Sequence, residues 1–170
     1  MPDLYDHTSD LTPFSGVPIR EFAMNGSSID LNVDGSVTPV DFTVEAPSGK
    51  IWYIHRVTIL IEDIGTSFAR FGGITSLTNG VDFKISQNGL SEELLGNIKK
   101  NSEFYLFSKN IISESSTTDL LVIHIDIKEL SGSVFILNET LNDIFTVTIN
   151  DNLTGLNTFR VLLNGYEVNA

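Results

Sequence analysis

After residue 37 the apolar positions recur with a period of two, and no stretch sustains the 3.6-residue period of an amphipathic helix. PVDFTVEA sets Val40, Phe42 and Val44 against Asp41, Thr43 and Glu45, and VDFKIS sets Val81, Phe83 and Ile85 against Asp82, Lys84 and Ser86. TTDLLVIHIDIKEL places Ile123, Ile125 and Ile127 inward and His124, Asp126 and Lys128 outward. DIFTVTIND does the same with Phe145, Val147 and Ile149 against Thr146, Thr148 and Asn150, and TFRVLL adds Phe159, Val161 and Leu163. Each pattern predicts a half-buried strand. IWYIHRVTILIED is rich in β-branched and aromatic residues throughout, as a central strand covered on much of both faces should be. SEFYLFSK and SVFIL predict two shorter strands.

Turn chemistry separates these runs. APSGK, LTNG and NDNLTGL break the pattern, Asn88-Gly89 is a hairpin-type turn, and Asn164-Gly165 marks the end of the terminal strand. LSEELLGNIKK predicts one helical turn capped by Ser91. The expectation is an all-β fold: an antiparallel β-sandwich of about eight strands, jelly-roll-like in its connections. An immunoglobulin-type arrangement is disfavoured because no Cys-Trp-Cys pattern occurs and the 87–103 connection is long.

Residues 1–36 differ in texture, with Pro2, Pro13 and Pro18, several Asp and Ser residues, and neither period. They read as an extended N-terminal arm, with a short strand at Ile29 to Val33 before a DGS turn at Asp34 to Ser36; residues 37–170 form the sandwich domain. An arm of this kind needs a surface to lie on, and Leu4, Tyr5, Phe14 and Phe22 are its candidate interface residues.

Charge and chemistry narrow the function. The 170-residue chain carries 22 acidic and 10 basic residues, a formal charge of −12 that repels nucleic acid and anionic membranes. Lys99-Lys100 is the sole close basic pair, too little for a phosphate-binding patch. With no cysteine there is neither a disulfide framework nor a thiolate metal site. MPDLYDHTSDLTPF lacks the features of a secretory signal, and no apolar run reaches the roughly 20 residues of a membrane span. Neither nucleic acid nor membrane is expected as a partner.

His7, His55 and His124 are too dispersed for a helical metal motif; His124 belongs to an outer strand face, and His55, beside Trp52 and Arg56, reads as a satisfied structural histidine. Glu62-Asp63 and Glu92-Glu93 are adjacent pairs, which on a strand point to opposite faces. No nucleophile elbow or phosphate loop occurs, so no catalytic residue and no cofactor is assigned. Asp143 and Asp151 are weak calcium candidates, weighed against the ordinary habit of turn aspartates of bonding nearby backbone.

The segments FTVEAPSGKIWYIHRVTILIED, GGITSLTNGVDFKI, LLGNIKKNSEF and INDNLTGLNTFRVLLNGY, in that order, resemble β-sandwich virion structural proteins of tailed bacteriophages. The resemblance spans about Thr38 to Tyr166 and rests on the shared order of its turn-and-strand motifs. It implies a capsid decoration or cement protein, or a related head, neck or tail component, present in the virion and assembled in the bacterial cytoplasm. It implies no active site. The implied partners are further copies of the chain, most simply as a trimer, and the major capsid protein or other virion proteins. A carbohydrate-recognition module at a neck, tail or fibre is the alternative, for which an exposed aromatic platform is the expected mark and glycan the expected partner.

Overall fold

The computed structural model describes residues 17–19, 30–63, 77–98, 108–114, 119–126 and 134–170. They form the all-β, antiparallel sandwich expected. The strands in chain order are β1 (Val17–Ile19), β2 (Val40–Glu45), β3 (Lys50–Asp63), β4 (Val81–Ser86), β5 (Glu93–Ile98), β6 (Ser108–Glu114), β7 (Asp119–Asp126), β8 (Phe135–Asn138), β9 (Ile144–Ile149) and β10 (Thr158–Asn169). The smaller sheet has the order β2-β9-β4-β5, and the larger β1-β10-β3-β7-β6, with β8 also on β3. The chain crosses between sheets at most of its connections.

Alternation explains the core. Trp52, Ile54, Val57, Ile59 and Ile61 of β3 and Phe159, Val161 and Leu163 of β10 belong to one buried cluster with Val81, Phe83, Ile85, Phe145, Val147 and Ile149 of the smaller sheet. β3 is the long central strand expected: β10 lines one edge, while β8 pairs with Ile51 to Ile54 and β7 with Arg56 to Asp63 along the other.

Several expectations need correction. Residues 93–98 form a strand rather than continuing a helical turn, because β4 offers five residues a ladder, Val81 opposite Ile98 through Ile85 opposite Glu93. Helix propensity over so short a span loses to that pairing. The Asn88-Gly89 turn has positive φ at both residues, 55° and 68°, as a twisted hairpin favours. Thr146 and Thr148 are buried although they alternate with the core face: β9 lies between β2 and β4, and the Thr148 hydroxyl donates to Asp41 Oδ1 at 2.6 Å. Asn164-Gly165 does not end the last strand, since β10 continues to Asn169. The strand expected at SEFYLFSK falls mostly outside the described residues, which show β6 from Ser108 onward.

Part of the arm is built into the body. The strand expected at Ile29 to Val33 is, over its described residues from Asp30, an irregular segment lying against β10 and the loop before it. Leu31 is fully buried in the core and its amide donates to the Phe159 carbonyl at 2.6 Å. Arg160 Nε and Nη2 clasp the Asp30 carboxylate at 2.9 and 3.2 Å, an arrangement that raises the pKa of Arg160. The DGS turn is closed by Asp34 Oδ1, which accepts from the Ser36 amide and hydroxyl and so holds its carboxyl below the usual range. Val17 to Ile19 add a strand beside Glu167 to Gly165. Leu4, Tyr5, Phe14 and Phe22 lie outside the described residues.

Candidate functional site

The two calcium candidates stand at opposite ends of one strand. Asp143 precedes β9 and Asp151 follows it, so a separation of eight residues along extended chain puts them roughly 25 Å apart. Both side chains are buried and engaged by backbone amides. Asp143 Oδ1 accepts from Asn88 N at 2.7 Å and its Oδ2 from Asn138 N at 3.0 Å. Asp151 Oδ2 accepts from Asn79 N at 2.8 Å and Gly80 N at 2.6 Å. Each carboxylate thus pins a distant turn to an end of β9, which charge-assisted hydrogen bonds do well. No group of three or more His, Asp or Glu residues fit to hold a metal ion occurs among the described residues.

The Asp151 joint links two motifs that looked independent in sequence. LTNG and NDNLTGL lie about 70 residues apart, yet Asp151 takes both LTNG amides while Asn150 N donates to the Gly80 carbonyl at 3.1 Å. From the other side Gly35 N donates to Asp151 O at 3.0 Å, and Leu153 N to Val33 O at 2.9 Å. Three chain segments therefore meet at one corner. A Cβ at Gly35 would collide with the Ile149 carbonyl, so only glycine lets the backbones approach that closely.

The richest polar constellation lies elsewhere, on the outer face of the larger sheet. The β3/β10 register shifts between Asn164 and Gly165, whose partners are Arg56 and Ile54, leaving His55 as the extra residue of a β-bulge. The inward parity of β3 changes there from Trp52 and Ile54 to Val57, Ile59 and Ile61. Gly165 is required: a Cβ would strike the Tyr53 carbonyl oxygen.

Around the bulge, His55 stacks on Tyr166 with ring centroids 5.7 Å apart, and Tyr166 is 39% exposed. Tyr53 lies between Tyr166 on β10 and the exposed Ile136 on β8 in register. The Thr58 hydroxyl donates to Asn164 Oδ1 at 2.9 Å and stands 3.1 Å from His124 Nδ1. With the hydroxyl proton committed to Asn164, His124 Nδ1 carries the donating proton and its Nε2 the lone pair. Partial burial, and then the nearby Arg56 charge, depress the pKa of His124, so the neutral ring is favoured. By register Asp126 stands opposite Arg56.

Two buried polar atoms at the bulge, His55 Nδ1 and Arg56 Nε, have no hydrogen-bond partner. His55 is therefore not the satisfied structural histidine expected from sequence. The sequence does carry a signal for the bulge, the parity slip across His55-Arg56 within IWYIHRVTILIED, but nothing local places Tyr166 beside it. Trp52 is buried as expected, its indole N–H donating to Glu167 Oε2 at 2.9 Å, and offers no exposed platform.

No protein-family model, curated protein or solved structure matches the chain. No helix among the described residues is long and apolar enough to cross a membrane.

Proposed function

We propose that the chain is a non-enzymatic virion structural protein of a tailed bacteriophage, a capsid decoration or cement protein that oligomerises as a trimer and staples neighbouring major capsid subunits. The observation that carries this reading is the behaviour of the N-terminal segment. Val17 to Ile19 augment the edge of β10, while Asp30 to Ser36 lock the chain onto the same side of the body. Here that strand lies on the chain's own β10; exchanged onto the β10 of a second copy, the same main-chain pairing would join copies. The order of turn-and-strand motifs in the sequence resemblance supports the same reading.

The test is the solution mass of the full chain by light scattering after size exclusion. A mass near three times 18.7 kDa is expected, and a monomer at micromolar concentration contradicts the trimeric staple.

A second reading, a carbohydrate-recognition module of a neck, tail or fibre, is favoured by one observation: Tyr166 is exposed beside a bulge that presents Arg56, His55 and Tyr53. An exposed aromatic ring flanked by hydrogen-bonding groups suits the stacking of a sugar ring.

A further inference from the structure

We propose that the bulge at His55 and Arg56 is a binding site for a carboxylate-bearing sugar, stacked on Tyr166 with its carboxylate on Arg56. This deepens the recognition reading given above and rests on it.

Folded proteins pair nearly all buried polar atoms, because an unpaired one has given up its water for nothing. Two such atoms occur on adjacent residues at this bulge, His55 Nδ1 and Arg56 Nε. Arginine has donors and no acceptor, so whatever completes Nε must be an acceptor, and the guanidinium charge favours an anionic one.

The surroundings favour a sugar over a bare anion. Tyr166 presents exposed ring surface, and its stacking on His55 fixes its place next to the unpaired atoms. Tyr53 and Ile136 extend the same row across β3 and β8. An inorganic anion would engage Arg56 alone, whereas a pyranose offers C–H faces to the exposed ring surface and hydroxyls to histidine nitrogens. The net charge of −12 repels long polyanions, so the fit is to a short or terminal acidic sugar, whose repulsion beyond about 8 Å is screened at physiological salt.

The experiment is calorimetric titration of the full chain with trigalacturonate, with maltotriose and sodium sulfate as the neutral-sugar and bare-anion probes. The proposal expects trigalacturonate to bind, both controls to be at least about tenfold weaker, and Arg56→Gln and Tyr166→Ala each to weaken binding about tenfold. Circular dichroism establishes that each variant is folded. In the unaltered protein, ring nitrogen resonances of His55 should shift on adding trigalacturonate, a readout independent of any substitution. Equal binding of sulfate, insensitive to Tyr166→Ala, would overturn the sugar assignment. Preferential binding of maltotriose would overturn the carboxylate and leave the recognition reading standing. No binding of any probe, with His55 unshifted, would overturn both.

Discussion

Single residues decide whether the corners of this sandwich hold. Asp151 is the clearest case, since its carboxylate satisfies two amides of LTNG from a buried position. Hydrogen bonds to a charged group contribute about 1.5–3 kcal/mol, so Asp151→Ala should lower unfolding stability by that amount in urea titration. The same experiment with added calcium separates the two roles of this residue. A staple predicts an unchanged midpoint, and a calcium-dependent rise lost in Asp151→Ala would restore the metal reading.

His124 gives a pH signature. Its pKa is depressed in the folded state by partial burial and by Arg56, with Thr58 its hydrogen-bond partner on β3 and Asn164 beyond it on β10. The unfolded chain therefore binds a proton first as pH falls. The contribution is fully present above the ordinary histidine value of about 6.5 and is lost as pH drops from there toward the folded value. His124→Gln should flatten that part of a stability–pH profile; an unchanged slope would show that another group sets it.

VDFKIS alternates strictly, and the structure buries Val81, Phe83 and Ile85 while leaving the intervening residues partly open, because period-two patterning is a local property. Residues 93–98 misled for the opposite reason: their helical appearance is local, whereas their strand state depends on β4. Asn164-Gly165 misled in a third way. The pair has turn composition, but glycine is there to let β10 pass close to the β3 backbone within a continuing strand. Gly165→Ala should therefore cost at least about 1–3 kcal/mol, measured by thermal or urea unfolding, since the clash is with backbone that cannot rotate away. A neutral substitution would mean that the bulge relaxes freely.

The bulge site was half visible. The parity slip at His55-Arg56 can be read from the chain, but the approach of Tyr166 requires the β3/β10 register. Composition and packing differ again near the end of the arm. Asp30 to Ser36 look like arm because they are polar and turn-rich, yet Leu31 contributes to the core. Deleting residues 1–29 should leave a folded body, whereas deleting 1–36 should destabilise it by at least the roughly 2–5 kcal/mol of a Leu31→Ala truncation. Equal stability of the two deletions would contradict that assignment.

At the scale of the whole molecule, two features bear on assembly. The larger sheet would end on β10, and the N-terminal segment covers part of that edge through β1 and through Leu31. Covered edges limit aggregation among copies made at high concentration, and the charge of −12 acts in the same direction. In the proposed role the apolar contacts that join subunits in the particle add to main-chain pairing by the arm, and neither requires chemistry at a catalytic centre.

The proposed role is tested most directly by cosedimentation with tailed-phage capsids that lack the chain, using the full chain and the form lacking residues 1–29. The account predicts saturable binding of the full chain in fixed proportion to the major capsid protein, and loss of that binding in the folded deletion form. Failure of the full chain to bind, or binding undiminished by the deletion, would contradict it.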